Sequence, residues 1–311
     1  MSDIAATLDR LDLPELPKPL VSELIDAHTH LDTTQHYSML RPVDALGAAA
    51  EVNVHRVVQI GCDVEGSQWA VRLASTHPQV IAAVAIHPNE APGMSEEDFE
   101  RAIATIDSLA GAGHHVRAVG ETGLDYYRTD PTADGGVEAI ERQKDNFRRH
   151  VEIAQRRGLT LAIHARRAES RKAKKFGDAL TDVADILDEL GWPERTIFHC
   201  FTGDPDFAQR ALDAGAYLSF AGNVTYPANR HIYESMLLAP ADRVLVETDA
   251  PFLTPIPERG KKNASYLVPH TLRFVAEAKG MSERDACEQF TANTVAAYGG
   301  EWGLRNEEAT E

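Results

Sequence analysis

Leu24-Ile25-Asp26-Ala27-His28-Thr29-His30 is a short apolar run that ends in two imidazoles, and the same construction returns four times along the chain. Val119-Gly120-Glu121, Leu161-Ala162-Ile163-His164, Thr196-Ile197-Phe198-His199 and Val244-Leu245-Val246-Glu247-Thr248-Asp249 each put metal-ligating side chains where a strand would end. Parallel barrels carry their chemistry at the carboxyl ends of their strands, so five such endings point to one rim. Working outward, Ser22–Ala27, Arg56–Ile60, Val80–Ile86, Arg117–Gly120, Leu159–Ile163, Thr196–Phe198, Ala216–Phe220 and Arg243–Val246 read as eight strands. Helical stretches alternate with them. Ser95–Ala110 opens on an acidic first turn, Glu138–Arg157 carries an apolar stripe, Asp178–Leu190 stops at Gly191, and Ser282–Tyr298 stops at Gly299-Gly300. Strand–helix alternation over 311 residues predicts a single-domain (β/α)8 TIM barrel at 21–305. Residues 1–20 are expected to be a peripheral extension and 306–311 a tail.

Composition narrows the class. Apolar residues make up 43% and charged residues 25%, as in water-soluble globular chains. No run approaches the ~20 apolar residues of a membrane span, and the acidic, Pro-containing start is unlike a signal peptide. Three cysteines, Cys62, Cys200 and Cys287, argue against a disulfide framework, so a cytoplasmic location is expected. A net charge of −17 excludes a broad basic nucleic-acid-binding face but not a local cationic site. No long apolar surface helix is evident, so the chain is expected to be a monomer.

The spacing of the ligands suggests how they meet. Side chains at i and i+2 of an extended strand point the same way, so His28 and His30 can share one metal. In a closed barrel the last strand lies beside the first, which brings Asp249 to that pair. His164 and His199 end neighbouring strands and form a second imidazole pair. Glu121 has two carboxylate oxygens and could bridge. The set suits two divalent ions, with Zn²⁺, Mn²⁺ or Fe²⁺ matching mixed imidazole and carboxylate ligands and Mg²⁺ matching carboxylate and water. Two-metal sites of this kind clamp the attacking and leaving oxygens in hydrolysis.

The same residues carry a resemblance. Ile25–Asp32, the run Gly120-Glu121-Thr122-Gly123-Leu124-Asp125-Tyr126-Tyr127, His199-Cys200-Phe201-Thr202-Gly203 and Val246–Leu253 resemble the signatures of the TatD-like metal-dependent hydrolases of the amidohydrolase superfamily. Ala85-Ile86-His87-Pro88 and Arg259-Gly260-Lys261-Lys262-Asn263 fit as well, and the likeness runs from about Ile25 to Tyr298. It implies a first metal on His28, His30 and Asp249, a second on His164 and His199, and Glu121 as the bridge. It implies further that Asp249 orients or deprotonates the attacking water, with Glu247 facing the site or supporting the ligands. The activity implied is that of a deoxyribonuclease, a 3′→5′ exonuclease cleaving phosphodiester bonds by a metal-activated hydroxide. DNA, as single strands or strand ends, is then the expected partner, with RNA as a variant. The alternative is a small-molecule hydrolase of the amidohydrolase type acting on an amide, ester or lactone.

Around these ligands lie weaker candidates. Arg259 can grip phosphate bidentately, and Asn263 belongs to the same polar loop, where Ala264-Ser265 follows in place of the family's usual proline. His87 is read as ending the third strand, where it can touch substrate or brace a ligand. Tyr127 or Tyr126 can stack on a base or lie buried. The basic run Arg166, Arg167, Arg171, Lys172, Lys174 and Lys175 can guide a strand or form a solvated face. Cys200 has no spare histidine base and is not a nucleophile candidate. Asn223 and Tyr226 fall on the same rim without an assigned role.

Overall fold

The computed structural model describes residues 3–168, 177–300 and 302. Eight strands form one parallel sheet in sequence order: β1 (Leu24–Thr29), β2 (Val54–Gly61), β3 (Val80–Val84), β4 (Val116–Asp125), β5 (Thr160–Arg166), β6 (Thr196–Phe198), β7 (Tyr217–Phe220) and β8 (Val244–Val246). A parallel bridge between Thr29 and Ala250, with Asp249 N–H donating to His28 O at 3.0 Å and His30 N–H to Ala250 O at 3.0 Å, brings β8 back to β1. The predicted TIM barrel is therefore the fold. Eleven α-helices are found among the described residues: α1 (Asp3–Arg10), α2 (Leu31–Ser38), α3 (Pro42–Glu51), α4 (Val64–Thr76), α5 (Glu96–Ala110), α6 (Gly136–Arg157), α7 (Ala179–Leu190), α8 (Pro205–Asp213), α9 (Arg230–Leu238), α10 (Val268–Ala278) and α11 (Glu283–Ala297). None is long and apolar enough to cross a membrane.

Three of the four predicted helix starts were read one residue early for a physical reason, while α6 begins at Gly136, two residues before the predicted Glu138. Ser95, Asp178 and Ser282 are N-caps, each with a side-chain oxygen accepting a backbone N–H of the first turn. Such residues sit half outside the helix they begin. Two strand ends were misplaced more consequentially. β4 runs through Glu121 to Asp125 and β5 through His164 to Arg166, so these two ligands sit inside strands rather than at their ends. β3 stops at Val84, three residues before His87. The ladder between β4 and β5 is irregular from Val119 to Thr122, around Glu121. Gly120 permits this close approach, since a Cβ there would lie 2.5 Å from Ala162 Cβ.

Residues 3–20, within the extension expected to be peripheral, contribute to the core. Leu8, Leu13 and Leu20 are buried in the main apolar cluster. Tyr266 Oη donates to Pro14 O at 2.8 Å and Arg273 Nη2 to Lys18 O at 2.7 Å, pinning the extension to the barrel. Apolar residues spaced along an acidic segment were hidden by its composition. The tail at 306–311 lies outside the described residues.

Candidate metal centre

All six expected ligands converge on the carboxyl side of the barrel around Glu121. Its Oε1 lies 3.6 Å from His30 Nε2 and 4.0 Å from His87 Nε2. Its Oε2 lies 2.5 Å from His199 Nε2, 3.4 Å from His164 Nδ1 and 3.9 Å from His28 Nε2. Asp249 Oδ1 is 3.4 Å from His30 Nε2 and 3.8 Å from His28 Nε2. The rings pack together: His28 stacks on His199 at 3.9 Å, and His164 Nδ1 is 3.3 Å from His199 Nε2. Among the described residues, three groups have the compactness a metal demands, namely His28 with His199 and Asp249, His28 with His30 and Glu121, and His87 with Glu121 and His164. His28, which pairs with His30, also stacks on His199, so the two expected ligand sets lie against each other.

Local backbone explains the convergence. Asp249 adopts the left-handed region at φ 53°, a conformation that turns the chain sharply just past β8. Aspartate tolerates it better than most residues, and such outliers cluster at functional sites. His30 forms the N-terminal boundary of α2, so one ligand of the His-x-His pair ends the strand segment and the next helix begins at once.

Burial and charge set the protonation states. Burial, helped by the neighbouring His199, pushes His28 well below the usual imidazole range. His30 is also penalised by burial, but its hydrogen bond to Asp249 and the Glu121 charge outweigh this and raise it. Burial works to raise Glu121, yet the surrounding imidazoles, His199 first, hold it well below the carboxylate range. The result is a buried anion whose Oε2 faces only imidazole nitrogens, His199 Nε2 the nearest at 2.5 Å. That is the electrostatic signature of a cation site, and the imidazole and carboxylate donors are of the type that divalent metals take. The residues therefore fit divalent metal binding.

Behind the ligands stands a supporting layer that sequence reasoning largely missed. Asp125 Oδ2 is 3.2 Å from His164 Nε2, so His164 can donate its Nε2 proton there and keep Nδ1 free for a metal. Asp125 also accepts the backbone N–H groups of Tyr127 and Arg128. Cys62 Sγ donates to Glu121 Oε1 at 3.4 Å and lies 3.7 Å from His30 Nδ1. Asp26 accepts Thr248 N–H at 2.8 Å and Thr248 Oγ1 at 2.6 Å, fixing the backbone that carries Asp249. Its burial pushes its carboxyl up to about 7. A signal for two of these existed: Asp26 is i−2 from His28 and Asp125 is i+4 from Glu121, on the same strand faces as the ligands.

The remaining candidates divide. Glu247 is fully buried behind His199, 3.4 Å from its Nδ1, and accepts Cys200 N–H at 2.7 Å and the Ser219 hydroxyl. Of the two expected positions, facing the site or supporting the ligands, it takes the supporting one, behind His199. Asn263 is corrected. It is fully buried, its Nδ2 donates to Thr248 O at 2.9 Å and Phe252 O at 2.6 Å, and its Oδ1 accepts Ala264 N–H. Its amide is spent on the loop backbone. His87 joins the centre, and Asn89 N–H donates to its Nδ1 at 3.1 Å. Burial drives its pKa down to about 3, so the ring is neutral with its proton on Nε2, facing Glu121. Arg259 is exposed and stacks on Tyr226 at 4.1 Å. Tyr127 is exposed under Arg166 at 3.7 Å, whereas Tyr126 is buried and bonds Asp182. Arg167 is held by Asp178 and Asp204, both at 2.7 Å. Arg171, Lys172, Lys174 and Lys175 lie outside the described residues.

Comparison with known proteins resolves the family. The model of the TatD-related DNases matches residues 25–299. The chain belongs to this family. A metal-dependent hydrolase named TatD from Mycobacterium tuberculosis is 36% identical over 282 residues, spanning 90% of this chain and 99% of the relative. YabD, a metal-dependent hydrolase from Bacillus subtilis, is 34% identical, spanning 88% of this chain and 98% of its own. Among solved structures, the TatD homologue YjjV of Escherichia coli superposes with a TM-score of 0.75 at 21% identity, covering 89% of this chain and 98% of that one. A TatD-family hydrolase from Entamoeba histolytica gives 0.71 at 17% identity, covering 91% of this chain and 100% of that one. Family membership thus agrees with the metal-dependent hydrolase read from the sequence and with the barrel.

Proposed function

We infer that this chain is a phosphodiesterase acting on DNA, removing nucleotides from the 3′ end, at a centre that holds two divalent ions of the Mg²⁺, Mn²⁺ or Zn²⁺ kind. The observation that carries this reading is the placement of Glu121, whose two oxygens face different sets of imidazoles. His28, His30, Glu121, His164, His199 and Asp249 would hold the ions. When bound, such ions polarise a phosphoryl oxygen and make a water-derived nucleophile available near neutral pH.

The protein's own groups supply the rest. The Asp249 carboxylate, anchored at Oδ1 by the first histidine pair, accepts a proton at Oδ2 from the attacking water. Water oxygen bonds to phosphorus, the P–O3′ bond breaks, and the departing O3′ takes up the proton that Asp249 accepted from the water. His87 donates from Nε2 to a non-bridging phosphate oxygen. Arg259, immobilised on Tyr226, adds positive charge at the mouth of a protein whose net charge is −17. A local cationic centre in an acidic molecule draws an anionic substrate to one place.

The test is digestion of a 5′-labelled single DNA strand by the purified chain with Mg²⁺ or Mn²⁺. A ladder shortening from the 3′ end is expected, and Asp249→Asn should abolish it. Inertness toward DNA, RNA and bis(p-nitrophenyl) phosphate with every metal, combined with hydrolysis of a lactone or amide, would replace this reading by the small-molecule one.

A further inference from the structure

The mouth of the barrel carries exposed aromatic side chains on two opposite sides of the metal centre. On the β8/β1 side, Tyr37 and Phe252 remain 59% and 46% exposed, and their rings meet edge to face at 5.9 Å. Both are tied to ligands. Tyr37 lies on α2, the helix that begins at His30, and Phe252 N–H donates to Asp249 O at 2.9 Å. On the β4/β5 side, Tyr127 is 43% exposed, with the Arg166 guanidinium 3.7 Å from its ring centre. Tyr127 N–H bonds Asp125 at 3.0 Å, the carboxylate that holds His164. In a closed barrel ordered β1 to β8, the β4/β5 pair lies across the mouth from β8/β1.

These rings leave apolar surface that a ligand can cover. Large aromatic side chains left in water forgo their burial energy, and the pairs found here do not shield each other completely. A flat ring beside a guanidinium is the surface on which unstacked bases settle, and arginine adds cation–π attraction and charge. The bases of a duplex are already stacked on each other, so a single strand is the form that can use these pads. The charge pattern favours the same occupant: the cations Arg166 and Arg259 stand at the mouth, while the molecule as a whole is strongly acidic.

The geometry points to a two-sided stacking clamp: Tyr37 with Phe252 takes the base on one side of the scissile phosphate, and Tyr127 with Arg166 takes the base on the other, so the protein grips at least a dinucleotide of single-stranded nucleic acid. This proposal rests on the phosphodiesterase reading of a single-stranded substrate and adds where its bases lie. It explains why the pads are anchored through the metal ligands and their supports: bases held there fix the phosphodiester between them over Glu121.

The experiment is stopped-flow anisotropy of a fluorescein-labelled thymidine tetranucleotide mixed with the full chain. Tyr37→Ala with Phe252→Ala, and separately Tyr127→Ala, should each weaken binding roughly 5- to 150-fold, the range for loss of a stacked base. The combined variant should lose about the product, since the pads act on different bases. Phe252→Trp and Tyr127→Trp should retain wild-type binding, which separates stacking from loss of fold. Unchanged binding in the alanine variants, or an effect from one pad alone, overturns the clamp. So does a concentration-dependent doubling of mass in sedimentation that Phe252→Ala removes, because a second copy would then cover the pad. Hydrolysis of DNA, RNA and bis(p-nitrophenyl) phosphate by the wild type with each metal is scored in parallel: inertness toward all three, with lactone or amide hydrolysis, removes the phosphodiesterase reading, whereas the binding series decides the clamp.

Discussion

Replacing Asp125 with asparagine changes one buried atom and should weaken metal binding without touching a ligand. His164 offers Nδ1 to the centre, 3.4 Å from Glu121 Oε2, and its Nε2 faces Asp125 Oδ2 at 3.2 Å. Asp125 stays ionised: burial opposes this, but the His164 contact and the backbone N–H groups of its turn outweigh burial and hold it well below the carboxylate range. The acceptor at Oδ2 fixes the imidazole proton on Nε2 and leaves a lone pair on Nδ1. In Asp125→Asn, an amide NH₂ placed at Oδ2 confronts the His164 and Asn89 donors. The flipped amide confronts the N–H groups of Tyr127 and Arg128 instead. No orientation satisfies both faces, and the histidine is free to move its proton to Nδ1. Loss of such an outer partner costs roughly 10- to 100-fold in metal affinity. The unloaded fold should also lose about 1.5–3 kcal/mol through its charge-assisted bonds. Competition against a fluorescent chelator reads the first effect and urea unfolding with the metal removed reads the second. Wild-type metal affinity in a folded Asp125→Asn protein would refute the reasoning.

Other predictions follow from neighbouring residues. His150 is fully buried with its pKa lowered to about 4 by burial, so its contribution to stability is complete above the ordinary value of 6.5 and is lost as pH falls through 4. Urea unfolding should show a loss of roughly 3 kcal/mol between pH 7.5 and pH 3.5 from this group alone, flattened in His150→Gln; equal pH slopes in both proteins would count against it. Cys62 touches both Glu121 and His30, so Cys62→Ala should weaken metal binding roughly 10-fold while Cys62→Ser retains most of it, read by chelator competition. Asn263→Ala strips partners from two carbonyls and should destabilise the protein by about 2–4 kcal/mol in thermal or urea unfolding.

The ligands were legible because their signal is local: an apolar strand followed by imidazole or carboxylate is visible in any single segment, and barrel closure then supplies their meeting. Glu121 was placed at a strand end because the irregular pairing at Val119–Thr122 depends on Ala162 of the neighbouring strand, which no local pattern encodes. The supporting place of Glu247 and the misreading of Asn263 have a common cause. A polar side chain near a site can point into it or back at the scaffold, and in both cases unsatisfied groups of the scaffold, Cys200 N–H and the carbonyls of Thr248 and Phe252, claimed it. The buried N-terminal leucines were obscured by their acidic, Pro-containing surroundings. Asp26 and Asp125 were within reach of sequence reasoning, since strand alternation puts them on the ligand faces, but a partner two or four residues away from a ligand carries no label of its own.

The central claim is a two-metal centre organised around Glu121, and anomalous diffraction from crystals of the metal-loaded protein tests it most directly. Two peaks on either side of the Glu121 carboxylate are expected, each at roughly 2.0–2.3 Å from imidazole nitrogen or carboxylate oxygen. Together they should engage His28, His30, His164, His199 and Asp249. A single peak that leaves one oxygen of Glu121 unengaged, or no peak among these residues, would contradict it.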